Sequence, residues 1–102
     1  MDNLLTKIES FDWDGFNTEK IRNKHGIEPY ECEELFFNEP FIAKDEKHSQ
    51  TEDRYYALGM TMSNKLFFVV FTIRKNKIRV ISARPMSKKE REVYHEKVKK
   101  NT

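Results

Sequence analysis

Lys65–Ile73 is apolar at almost every position and is bracketed by two short polar turns, Ser63-Asn64 and Lys75-Asn76-Lys77. A run of that length, apolar on both sides, predicts a strand covered on both faces and therefore central in its sheet. Turns so short join only neighbouring antiparallel strands, so Arg54–Thr61, Lys65–Ile73 and Ile78–Ala83 are expected to form a meander. Phe41–Asp45 reads as one more short strand, followed by a polar loop from Lys44 to Asp53. Ahead of the sheet, Phe11-Asp12-Trp13-Asp14 alternates like a short strand with one buried face. A helical pattern then spans Phe16–His25, with Phe16, Lys20 and Ile21 near one face and Gly26 as its left-handed stop. Pro29 suits the first turn of a second helix, with Glu28 and Glu31 near its positive end and Leu35 and Phe36 on its apolar side. Asn38 to Pro40 ends it. Ser87-Lys88-Lys89-Glu90 is a capping box, so a last helix is expected from Lys88 to the end of the chain, Val93 and Tyr94 on its packed side. The order, N-terminal helices, antiparallel β-meander, C-terminal helix, makes the fold class α+β.

The 102 residues leave room for one core, and 1–102 is read as a single domain. A single cysteine, Cys32, makes no internal disulfide, so nothing asks for an oxidising compartment. The N-terminal MDNLLTKIESFDWD has no basic stretch followed by an apolar run, and Leu66–Phe71 is too short to span a bilayer. A soluble, cytoplasmic protein without a membrane association is expected.

A net charge of +2 hides a strong segregation. Residues 28–53 carry nine acids against two lysines, whereas Arg54–Lys89 carries nine bases and no acid. A basic face of that kind attracts polyanions such as RNA. The alternative is a chain whose halves neutralise each other across the fold.

Among the histidines, His25, His48 and His95, no two fall at ligand spacing with each other or with Cys32, so no metal site and no cofactor is expected. The carboxylates of residues 28–53 look like a solvated helix face. Glycine-rich phosphate loops, nucleophile elbows and an activated cysteine are missing from the sequence. Arg74, Arg79 and Arg84 stand five apart, and arginine offers a planar donor fork that grips phosphate. A metal-free ribonuclease must deprotonate a 2′-hydroxyl, neutralise the pentavalent phosphate and protonate the leaving oxygen. The candidates are His48, Glu90 and Tyr94 for proton transfer and Arg54, Arg79 and Arg84 for the charge clamp.

Several segments follow one another in a recognisable order: FDWD at 11–14, KHG at 24–26, ELFF at 34–37, D-x-x-H-S at 45–49 and D-R-Y at 53–55. ALG at 57–59, VVFT-x-R at 69–74, IRVISAR at 78–84 and E-R-E-V-Y at 90–94 continue it. Together they resemble BrnT-type toxins, which are similar to RelE/ParE-superfamily ribonucleases. The resemblance implies a RelE-like fold and metal-independent RNA cleavage. It also implies neutralisation by a BrnA-like ribbon-helix-helix antitoxin that links the complex to operator DNA. On the matching positions, His48, Arg79, Arg84, Glu90 and Tyr94 are expected to be catalytic. Arg54, Arg74, Lys88, Lys89 and Arg91 are expected to contact RNA. Two other functions compete: a non-catalytic binding module of a regulatory complex, and a ParE-like topoisomerase poison. The acidic second helix, with Glu31, Glu33 and Glu34, is expected to lie away from RNA and to face other protein.

Overall fold

The computed structural model describes residues 5–49 and 51–99. The fold is α+β, with three helices and a five-stranded mixed sheet. In chain order the elements are β1 (Ser10–Phe11), α1 (Gly15–His25), α2 (Pro29–Phe36), β2 (Phe41–Lys44), β3 (Arg54–Met60), β4 (Leu66–Arg74), β5 (Lys77–Pro85) and α3 (Lys88–Lys99). Strand order is β1-β5-β4-β3-β2, which puts β4 at the centre, as its two-sided hydrophobicity predicts. All neighbours are antiparallel except β1, which pairs parallel with β5. The expected strand at 11–14 is shorter than its alternation suggests, because Asp14 turns aside to cap α1. Its carboxylate accepts from the Asn17 amide at 2.9 Å, and the Asn17 side chain answers to the Asp14 amide at 2.8 Å. The expected continuation of α3 to the chain end falls on residues 100–102, outside the described residues.

Local chemistry explains most of the boundaries. Lys75 (φ 51°) and Asn76 (φ 63°) are both left-handed, the two-residue turn whose twist matches antiparallel strands. Gly26 ends α1 at φ 66°, a conformation that costs glycine little. Ser87 and Glu90 form the expected box: the Glu90 amide donates to Ser87 Oγ (3.2 Å) and the Ser87 amide to Glu90 Oε1 (2.8 Å).

The sheet separates two cores. On one face α1 and α2 cover Ala57, Val69, Phe71, Ile78, Val80 and Ala83 with Ile21, Ile27, Cys32, Leu35 and Phe36. At Gly59 the approach leaves no room for a side chain, since a β-carbon would lie 2.5 Å from Leu35 Cγ. On the other face α3 brings Tyr94, Val93 and Val98 onto Leu58, Met86, Phe41, Tyr56 and Phe68.

Two expectations about the helices need correction. Phe16 is 78% exposed and Lys20 is exposed too, so Ile21 is buried as expected but shares the stripe with Asn17. Asn17 sits there because its amide donates to the Asp12 and Val80 carbonyls, tying the helix to β5. The acids of α2 are not a solvated face. Glu31 is buried and accepts from Lys65 Nζ and the Glu28 amide (both 3.0 Å), Glu33 accepts from Trp13 Nε1 (2.7 Å), and Glu34 accepts from the Met62 amide (3.1 Å). Glu31 precedes Leu35 by four residues, so both fall on the same stripe, and a buried carboxylate needs such partners. Of the three acids only Glu31 is buried, while Glu33 and Glu34 stay half-buried with one internal bond each.

Candidate functional site

The face of the sheet that carries α3 also carries most of the candidate side chains. Side chains of register partners point the same way, and those along a strand alternate. Arg54 pairs with Thr72 and Thr72 with Arg79, so these three form one row across β3, β4 and β5. Phe68 pairs with Arg84 in a second row, four residues further along β4 and thus about 13 Å away. Phe68 belongs to the α3 core, which fixes the face of both rows.

An irregularity in β5 makes this possible. Phe71 pairs with Val80 but Val70 pairs with Ser82, leaving Ile81 as the extra residue of a bulge. Arg79 and Arg84 are five residues apart and in a regular strand would face opposite ways. With the bulge between them, they share a face.

The Arg84 row is the more ordered. Arg84 forks onto Glu90, Nη1 to Oε1 and Nη2 to Oε2, both at 2.8 Å, and lies over the Phe68 ring, its Cζ 4.3 Å from the centroid. This bond to Arg84 holds the Glu90 carboxyl below the ordinary range against the opposing effect of burial, with help from the Ser87 amide. The same bond raises the Arg84 guanidinium. Tyr94 stands one turn after Glu90 on α3 and is 5% exposed in the core beside Leu58 and Met86. Burial pushes its hydroxyl upward, as does Glu39, so it carries its proton at neutral pH. Lys88, Lys89 and Arg91 are exposed on the first turn of α3, and Arg91 Nη1 donates to the Met86 carbonyl (3.1 Å).

The other cluster lies at the start of β3. Asp45 caps a single 3₁₀ turn, Glu46–His48. Its carboxylate lies 2.9 Å from His48 Nδ1, which orients the ring. Ser49 pins the loop: its hydroxyl donates to the Asp45 carbonyl (2.7 Å) and accepts from the Arg54 amide (2.9 Å). His48, Thr51, Glu52 and Arg54 line a shallow cleft.

Charge is less segregated in space than in sequence. Arg74 forks onto Glu52 (2.7 and 2.9 Å), and Arg79 bonds Asp14 (2.8 Å) with Asp12 at 3.5 Å. With Arg84 on Glu90, each arginine of the five-residue series has a carboxylate partner. Asp12, Asp14, Asp45, Glu52 and Phe68 are therefore partners of the candidate side chains that sequence reasoning missed. A pairing signal existed only for Asp45, three residues before His48. Cys32 is fully buried and its thiol is pushed up to about 12 by burial and by Glu31 and Glu33, so it is inert. Among the described residues no three His, Cys, Asp or Glu side chains gather as a metal cluster, and no helix is long and apolar enough to cross a membrane.

Arg79 and Arg84 thus share one face of the sheet with α3, each held by a carboxylate. A family model described as "Ribonuclease toxin, BrnT, of type II toxin-antitoxin system" matches residues 13–90, and the chain belongs to that family. A toxin of that type implies an RNA target and an antitoxin protein as partner. No curated protein sequence matches the chain.

Proposed function

We propose that residues 1–102 are a single RelE-like toxin domain that cuts RNA without a metal, inhibits translation in the cytoplasm, and is held off by a BrnA-like antitoxin. In this reading the 2′-oxygen attacks the adjacent phosphorus, its proton passes to a base, the bond to the 5′-oxygen breaks, and that oxygen takes up a proton. The products are a 2′,3′-cyclic phosphate and a 5′-hydroxyl. The observation that carries the reading is the Arg84–Glu90 fork. A phosphodiester offers Arg84 the same two-oxygen geometry as a carboxylate. Once phosphate takes the guanidinium, Glu90 loses the partner that keeps it acidic, its affinity for a proton rises, and it becomes a usable base beside the 2′-hydroxyl. Tyr94, protonated and one turn along, is the candidate donor to the leaving oxygen.

His48, Arg54, Arg74 and Arg79 sit on or near the other row, too far along the strand to share one phosphate with Arg84. They bind the continuation of the RNA, and Lys88, Lys89 and Arg91 add charge at the start of α3. Loss of kcat without loss of binding in His48→Ala would move the proton donor to the His48–Asp45 pair.

The reading is tested with purified, antitoxin-free protein. Cleavage is expected to persist in EDTA, to leave cyclic phosphate ends, and to stop when a 2′-deoxynucleotide replaces the one at the cut. Failure to cut any RNA, alone or on ribosomes, sinks it. One observation favours a non-catalytic binding module instead: Arg74, Arg79 and Arg84 already have carboxylate partners. That reading expects Tyr94→Phe and Glu90→Gln to leave function intact. A BrnA-like partner with a ribbon-helix-helix domain would connect the complex to operator DNA, which co-purification and operator binding of the complex, against toxin alone, would test.

A further inference from the structure

A second cleft opens beside Arg84, between α1 and the outer edge of β5. Strand β1 pairs with only the first part of β5, at Lys77 and Ile78, so among the described residues the edge near Ser82 has no strand neighbour on that side. Lys20, Lys24 and His25 of α1 line this cleft from one side and Ser82 and Arg84 from the other. Among the described residues no acidic side chain lines it.

The two lysines are four residues apart and therefore stacked on one face of α1, an arrangement that costs helix stability for like charges. Both are exposed, and neither has a carboxylate partner among the described residues. This sets them apart from Arg22, on the same helix, which is bonded to Glu28 at 2.8 Å. Cations in the last turn of a helix gain from its dipole, which accounts for Lys24 in part. It does not account for Lys20, nor for two unpaired lysines lining one cleft with Arg84.

We infer that this cleft is a phosphate-binding subsite for the RNA backbone, in which Lys20 and Lys24, with His25 beside them, hold the phosphate next to the one on Arg84. The inference rests on the RNA-cleavage reading above. Arg84 is common to both places: it forks onto Glu90 on the α3 side and lines the α1 cleft at the strand edge. A strand of RNA passing over the edge of β5 meets cationic groups on both sides of Arg84. Ser82 adds a hydroxyl donor between them.

The test uses the full chain and a mixed-sequence 2′-O-methyl oligoribonucleotide, which lacks the attacking hydroxyl and stays uncut. Binding is followed by fluorescence anisotropy over a salt series. Lys20→Ala with Lys24→Ala is compared with Lys7→Ala with Lys75→Ala, an equal charge change at exposed positions outside the cleft. The cleft variant is expected to bind roughly tenfold more weakly, and its salt slope to fall by about 0.7 for each phosphate that is no longer neutralised. The distant variant should move little. Thermal unfolding of both separates a helix-dipole role, which shifts the melting temperature and leaves affinity alone. Equal effects of the two variants on affinity overturn the subsite while leaving RNA cleavage by the wild type intact. If the wild type neither binds this probe nor cuts RNA, the cleavage reading and the subsite fall together.

Discussion

The two faces of the sheet solve the problem of charge differently. Under α1 and α2 the buried carboxylate, Glu31, is bonded to the Glu28 amide and to the half-exposed ammonium group of Lys65, at the margin of an extensive apolar core. On the α3 side the apolar core is smaller, and beyond it arginines are held by carboxylates on half-exposed side chains. A bond to a buried carboxylate persists because opening it strands that charge in the interior. A bond at the surface exchanges readily with a better anion. The closed face therefore holds the fold and the open face is available for binding.

The sharpest way to break this contrast is to damage each face in turn. Leu35→Ala on the closed face should lower unfolding free energy in urea by about 2–5 kcal/mol, with RNA cleavage per folded molecule unchanged. Arg84→Ala on the open face should lower kcat by about 10²- to 10³-fold with a small change in the urea midpoint. A large stability loss there would mean that the Arg84–Glu90 fork is structural. Glu31→Gln, which keeps the shape and removes the charge, should cost about 1–3 kcal/mol at neutral pH. Burial alone would favour the neutral acid at Glu31, but the Glu28 amide and Lys65 outweigh it and lower its pKa from 4.5. The stability from this ionised form is complete above the unfolded value and is lost as pH falls below about 4.5 through the lower folded value. The acid arm of a stability–pH curve should accordingly flatten in Glu31→Gln. Smallest of all, Glu52→Gln should leave the melting temperature within error and slightly tighten RNA binding by releasing Arg74. A large loss of stability would make that surface pair part of the closed architecture.

Much of the fold is legible because it is set by neighbours in sequence. Lys75-Asn76 supplies two left-handed positions, Gly26 a helix stop, Ser87 and Glu90 a cap, and all three act within a few residues. What escapes is long-range. The parallel pairing of β1 with β5 joins Phe11 to Ile78, and no local period encodes it. Asp14 reads as the apolar–acidic alternation of a strand, yet it caps a helix and binds Arg79, 65 residues away. The inward turn of Glu31 was within reach, since it shares the stripe of Leu35. For the site, the residue types were visible but their grouping was not. Five-residue spacing does not place arginines on one face, and only the bulge at Ile81 does so.

That extra residue has a further consequence. On either side of it, β5 runs as two short strands of opposite parity laid end to end, one carrying Arg79 and the other Arg84. A point substitution at Ile81 leaves the parity alone, whereas deleting it would invert everything downstream. Arg84 would then turn toward Ile21 and the apolar core, and Ala83 toward the open face. Length, more than side-chain chemistry, is what this stretch of β5 must preserve.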